Sequence, residues 1–251
     1  MEISIAAEKL FSIGALPITN AFLIGLVVSA LLIFFITRVT KRPSLVPHGL
    51  QNVIEIIFEA LLNLVESVTQ DKKQARQFFP LIATIFLFVL TANWVGLLPG
   101  LGTVGLSHVN EAGHATIIPF LRSTSADLNF TLALSLITVI TVQFTGIAAL
   151  GILKYGQKFF ISPFHKPYGI GTAVGILELV SELGKIISFT FRLFGNVFAG
   201  EVLLTVMLHL VPYFLPLPFM FLEVFVGFIQ AVVFAMLTLV FLKMATLAPE
   251  H

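Results

Sequence analysis

Seven ionisable side chains interrupt the apolar stretch between Gly169 and Lys243: Glu178, Glu182, Lys185, Arg192, Glu201, His209 and Glu223. Carboxylates bind and release protons, whereas an arginine keeps its charge even when it leaves water. A charge in contact with lipid at the bilayer centre is costly, and charged residues inside membrane segments mark ion pathways and proton relays. The residue types therefore indicate a polar path for ions or protons inside a membrane.

Helical spacing divides the polar residues into two sets. At 100° per residue, one face of a helix carries five of them within about 80°: Glu178, Glu182, Lys185, Arg192 and Asn196. Glu201 lies about 180° round the helix from Arg192 and about 13 Å further along it. If the chain folds back near Pro212, Glu201 can face Glu223 and Arg192 can face Gln230. This pattern predicts two aqueous access paths that do not join, with one permanent cation between them.

The composition identifies the class of protein that must position these residues. Of 251 residues, 57% are hydrophobic and 11% are charged, and the mean hydropathy is +1.02. Soluble domains carry about 25% charged residues. The net charge of +1 gives no basic field for nucleic acid, and the absence of cysteine excludes disulfides and thiol chemistry. The sequence predicts an integral membrane protein, and apolar runs near twenty residues favour helices.

We predict an all-α fold with about five membrane helices, as a single membrane domain over residues 1–251. Residues 1–20 do not have the pattern of a cleavable signal peptide. A charged turn is predicted at 71–76, and a long loop precedes the third span. The predicted spans are 21–39, 80–98 and 127–151, and a long tilted hairpin follows at 169–211 and 219–247.

The segment 47–70 is predicted to form an amphipathic helix in the membrane interface. One side of it carries a polar stripe, and apolar residues fill the other. An acidic stripe is unusual for binding anionic lipid and indicates a protein neighbour, with a solvated surface as the alternative. The stripe consists of Glu55, Glu59, Asn63, Glu66 and Gln70.

Positive charges predict the orientation. Six Lys or Arg residues lie between the end of the first span, which includes Arg38, and the start of the second, and three follow the third span, but the loop between the second and third spans holds only Arg122. Because cytoplasmic loops are enriched in Lys and Arg, the first two segments are assigned to the cytoplasm and the third to the exterior. The N-terminus is then outside and the C-terminus cytoplasmic.

The stretch around the arginine resembles a family signature. FRLFGN at 191–196 is followed by AGE at 199–201, and similar stretches are NWVGLLPG at 93–100, SADLNFTL at 125–132 and IQA at 229–231. Together these stretches resemble the a subunit (subunit 6) of F-type rotary ATP synthases. The likeness covers almost the whole chain, in the same order of elements.

The resemblance implies roles for individual positions. Arg192 matches the arginine that faces the carboxylate of the rotating ring, and Glu201 matches the acidic group of the external half-channel. Glu223 falls where some bacterial members have a histidine. The remaining matches are polar positions of the cytoplasmic-side path and of the surroundings of the arginine: Glu178, Ser181, Asn196 and Gln230. The candidates whose role the family pattern leaves open are Asp127, Glu182 and His209.

The resemblance also implies partners and location. The chain would be a stator subunit in a bacterial plasma membrane, conducting protons or sodium to and from the c-ring. Other implied partners are the peripheral-stalk b subunits and the lipid bilayer. No catalytic residue, cofactor or nucleic acid is expected, and no directly bound nucleotide, because the sequence lacks a glycine-rich loop ending in Gly-Lys-Ser/Thr. The spacing of His108, Glu111 and His114 is similar to that of metal ligands, but we predict no metal site in this loop.

Two alternative interpretations remain from the residues themselves. A stand-alone ion-coupled secondary transporter would show inverted repeats, and the sequence contains no repeat. Arg192 could instead form an ion pair with Glu178 or Glu182 that holds the helices together. Lys185 and Glu182, three residues apart, are predicted to form a structural pair rather than part of the path.

Overall fold

The computed structural model describes residues 9–13, 16–41, 44, 46–98, 105–109, 115–119, 122–157, 170–211, 214 and 216–247. Most of these residues are helical. The helices are α1 (Asn20–Thr40), α2 (Leu50–Thr69), α3 (Lys72–Gly96), α4 (Leu128–Leu150), α5 (Ile152–Gln157), α6 (Ile170–Leu210) and α7 (Pro216–Thr246). In the described part of the chain, α1, α3, α4, α6 and α7 are long and apolar enough to cross a membrane. The prediction of an all-α, multi-pass membrane protein is confirmed.

Two short antiparallel hairpins were not predicted. β1 (Lys9–Ile13) pairs with β2 (Leu16–Thr19), and β3 (Gly105–Val109) pairs with β4 (Ala115–Pro119). Both lie outside the long apolar runs, in segments where the sequence shows no strong periodicity. They leave the helical class of the fold unchanged.

The predicted charged turn at 71–76 is wrong. The turn is confined to Gln70, whose φ of 56° ends α2, and Asp71, whose side chain accepts a hydrogen bond from the Lys73 backbone over 2.8 Å. Asp71 is thus an N-cap, and α3 begins at Lys72, eight residues before the predicted start at Pro80. Charged residues next to a good cap continue the helix beyond the apolar run.

The core lies where α3, α4, α6 and α7 meet. Val89 of α3 and Phe234 of α7 are fully buried, and the ring of Phe234 lies 4.7 Å from that of Phe189 in α6. Between α4 and α6, the hydroxyls of Ser135 and Thr190 form a hydrogen bond of 2.6 Å. Helices packed in lipid use such polar contacts because apolar surface gains little by leaving the membrane.

The amphipathic helix α2 packs its apolar side on this core. Leu61 and Val65 are buried against α3, and the Lys243 ammonium of α7 donates to the Val68 carbonyl over 2.6 Å. Glu55 and Glu59 are exposed on the opposite side. The predicted division of this helix into a polar and an apolar face therefore matches its packing.

Candidate ion-translocation site

The last two helices form an antiparallel pair whose polar contacts lie near its middle. Asn196 Nδ2 of α6 donates to Gln230 Oε1 of α7 over 2.6 Å. One turn closer to the connection between the helices, Gly200 lies against the carboxylate of Glu223. Both Glu223 and Gln230 are buried, at 8% and 3% exposure. The fold therefore brings four of the polar or motif positions of the sequence into one layer between α6 and α7.

Gly200 is required by this close approach. A Cβ added there would overlap all three carboxyl atoms of Glu223. Glycine allows a neighbouring side chain to approach the helix backbone in this way. The small residue of the AGE stretch therefore makes room for the buried acid.

The side-chain pairing differs in detail from the simple hairpin expectation. Gln230 bonds to Asn196, which lies one helical turn beyond Arg192, and the residue against Glu223 is Gly200, the neighbour of Glu201. Each residue turns the helix by 100°, so a shift of one position points a side chain to another neighbour.

Arg192 lies one helical turn before Asn196, on the side away from Gly200, in a cleft of about 320 Å³. Its guanidinium donates to Ser188 Oγ over 3.3 Å and remains partly exposed. Ser181 lines the same cleft. The structure thus connects the arginine with one residue predicted for the cytoplasmic-side path.

Lys185 and Glu182 form the predicted ion pair. Lys185 Nζ lies 2.6 Å from Glu182 Oε1, and it also lies 4.8 Å from the centre of the Phe241 ring. Glu182 is buried at 8% exposure. Because the pair joins neighbouring turns of α6 and packs on α7, these contacts favour the structural interpretation.

Three other candidates lie apart from the polar layer. Glu178 is partly buried near the start of α6. The exposed His209 has its Nδ1 2.8 Å from the carbonyl of Thr205, a local contact. Asp127 is buried and caps α4 by accepting a hydrogen bond from the Asn129 backbone over 3.0 Å. The geometry of Asp127 is that of a helix N-cap, a structural contribution.

Sequence analysis missed Arg122 as a site residue. Its Nε lies 3.4 Å from Oε1 of Glu201, and the arginine is buried at 9% exposure. In the sequence analysis Arg122 entered only the count of positive charges, because 79 positions separate it from Glu201. Its isolation in a loop otherwise without Lys or Arg was the one available signal.

A second missed feature is the polar contact between α3 and α7. Asn93 Nδ2 donates to the Gly227 carbonyl over 3.1 Å and accepts from Ser125 Oγ over 2.7 Å. Trp94 Nε1 donates to the Val224 carbonyl over 3.1 Å. Gly227 lies on α7 between Glu223 and Gln230, so this contact fixes the part of α7 that carries both residues.

The described residues contain no group of three or more His, Asp or Glu side chains that could hold a metal ion. Glu111 and His114 lie outside the described residues, and only the backbone is described at His108.

Comparison with known proteins shows the family to which this chain is similar. The family described as ATP synthase A chain matches residues 21–243. ATP synthase subunit a of Moorella thermoacetica is 32% identical over 235 residues, which cover 93% of this chain and 94% of that protein. The subunit a proteins of Campylobacter jejuni (strain 81-176) and Helicobacter pylori (strain P12) are 34% and 36% identical, over 91% and 89% of this chain and 90% and 88% of their own lengths. The chain belongs to the ATP synthase subunit a family.

Proposed function

We propose that this chain is the proton-translocating stator subunit of the membrane sector of an F-type ATP synthase, where it provides two offset half-channels to a rotating c-ring. The observation that carries the proposal is the position of Arg192 between two sets of polar residues in the α6–α7 pair. One set lies toward the connection between the helices and comprises Asn196, Glu201, Glu223 and Gln230. The other lies toward the start of α6 and comprises Glu178 and Ser181.

Arg192 separates the two half-channels electrostatically. Its guanidinium stays protonated in a partly exposed cleft, and it attracts an ionised carboxylate of the ring by about 4 kcal/mol at 4 Å and an effective dielectric constant near 20. Each proton that crosses releases about 2.3 kcal/mol per 100 mV. The attraction is comparable to this driving energy. It favours the ionised form of a ring carboxylate beside Arg192, so that the carboxylate releases its proton before it passes the arginine.

The residues on the two sides of Arg192 supply the path of the proton. Glu201 and Glu223 accept and release it on the external side, and the Asn196–Gln230 contact lies between these acids and the arginine. On the cytoplasmic side, Ser181 shares the cleft of Arg192 and leads toward Glu178. Rotation of the ring carries the carboxylate from one path to the other.

The proposed assembly follows from the family and from the charge pattern. The partners are the c-ring, the peripheral-stalk b subunits and the lipid of a bacterial plasma membrane. The positive-inside rule favours an external N-terminus and a cytoplasmic C-terminus. The chain itself is non-catalytic in this proposal, and the family assignment does not favour a stand-alone transporter.

ATP-driven acidification of vesicles that contain the whole complex tests the proposal. Arg192→Ala is compared with the unchanged chain and with Arg38→Ala, which removes an exposed arginine at the end of α1. Co-purification of the ring measures assembly. We expect assembled Arg192→Ala complexes to lose pumping while Arg38→Ala complexes keep it. Normal pumping by Arg192→Ala would refute the role of the arginine.

A further inference from the structure

The buried segment before α4 brings a second arginine to the ion path. From Arg122 to Asp127 every residue has less than a tenth of its surface exposed. Arg122 Nε lies 3.4 Å from Glu201 Oε1, which is an ion-pair distance. The loop before α4 therefore contributes a permanent cation next to an acid of the proposed external path.

Contacts with neighbouring helices hold this segment in place. Ser123 packs so closely on Gly96 of α3 that an added Cβ at Gly96 would lie 2.5 Å from the Cβ of Ser123. Ser125 donates to Asn93 of α3 over 2.7 Å, and Asp127 caps α4. The backbone beside Arg122 is thus fixed by two helices, so its guanidinium is presented to Glu201 from a rigid position.

The pair joins a buried side chain to a partly exposed one: 8% of the Arg122 side chain and 36% of the Glu201 side chain are exposed. Ser123 Oγ and Thr124 Oγ1 are buried and make no hydrogen bond within the part of the chain that the structure describes. Buried hydroxyls normally bond to protein or to ordered water. The segment that carries Arg122 is thus polar as well as buried.

We infer that Arg122 is a positioning residue for Glu201: it compensates the negative charge of the carboxylate each time the proton leaves, and it holds that carboxylate on the route to Glu223. An arginine suits this task because its charge does not change during the cycle. Arg122 is buried, whereas 36% of the Glu201 side chain is exposed, so the cation stabilises the ionised carboxylate from the protein side of the pair. The inference rests on the proposed function, because it assumes that Glu201 carries protons.

The test compares ATP-driven proton pumping and passive proton conduction by complexes with Arg122→Gln, Arg122→Lys and the control Arg38→Gln. We expect Arg122→Gln to lower the pumping rate on the order of tenfold, equivalent to about 1.4 kcal/mol. Arg122→Lys, which keeps the charge, should restore most of the rate, and Arg38→Gln should pump normally. Normal pumping by Arg122→Gln would overturn the inference, and so would an equal loss in both assembled Arg122 variants, because the charge would then be irrelevant.

Two further variants separate this inference from the proposed function. If Glu201→Gln pumps normally, the role of Glu201 in the proposed function fails. If Glu201→Gln loses pumping while Arg122→Gln does not, only the present inference fails. Should Arg122→Gln prevent assembly, the double variant Arg122→Gln/Glu201→Gln decides: recovered assembly supports mutual compensation of the two charges, and no recovery overturns it.

Discussion

Replacing Gly200 by alanine tests whether the buried position of Glu223 matters for ion transport. The added Cβ would overlap the carboxylate of Glu223, which must then move by more than about 1 Å to reach van der Waals separation. The overlapping atoms are the far end of a flexible side chain, and alanine favours a helix over glycine by about 1 kcal/mol. The cost to folding is therefore small, whereas the position of the acid changes.

The expected functional effect follows from that displacement. A misplacement of about 1 Å of a reacting group can reduce a rate by as much as about 10²-fold. We therefore expect Gly200→Ala to lower ATP-driven proton pumping by about tenfold to a hundredfold, with little change in the thermal stability of the assembled complex. Shortening the acid, as in Gly200→Ala/Glu223→Asp, should relieve the overlap and recover part of the rate.

The assay is acidification of vesicles that contain the complex, normalised to the amount of co-purified ring. Gly156→Ala in α5 is the matched control, since an added Cβ at Gly156 meets no atom within 4 Å. Glu223→Asp alone gives the reference for the double variant. If Gly200→Ala pumps at the normal rate, the buried position of Glu223 does not matter for transport and the geometric argument is refuted.

Three other predictions concern contacts in and around the site. Asn93→Ala removes a bond to α7 and leaves the Ser125 hydroxyl buried, so thermal unfolding of the solubilised chain should show a loss of about 1–3 kcal/mol; an unchanged midpoint would contradict this. Lys185→Met should destabilise the chain more than the double change Lys185→Met/Glu182→Gln, because the single change removes the ammonium that lies 2.6 Å from a buried carboxylate; equal losses would exclude a paired role. Asp127→Ala should cost about 1 kcal/mol through the lost cap of α4, and Asp127→Asn, which caps equally well, should restore it.

The helices follow largely from local sequence properties. Apolar runs near twenty residues determine where a chain can cross the bilayer, and each such run folds as a helix because its backbone groups must bond within the segment. The start of α3 at Lys72 was missed because a capping residue, Asp71, extends a helix beyond its apolar run. Recognition of Arg192 and its neighbours also required only the sequence, since residue type and spacing along one helix identify the motif.

The contacts that build the site required the tertiary structure. The Asn196–Gln230 bond joins positions 34 residues apart. The hairpin register predicts approximately which turns of the two helices face each other, but helix rotation decides which side chains meet. The Asn93–Gly227 contact spans 134 positions. Arg122 lies in the segment between α3 and α4 and pairs with Glu201 of α6, and no periodic sequence pattern predicts this contact. Sequence alone therefore determined the membrane helices, the arginine motif and the family, because these depend on local spacing and residue type. Only packing between distant segments decided which partner each buried charge and amide acquired.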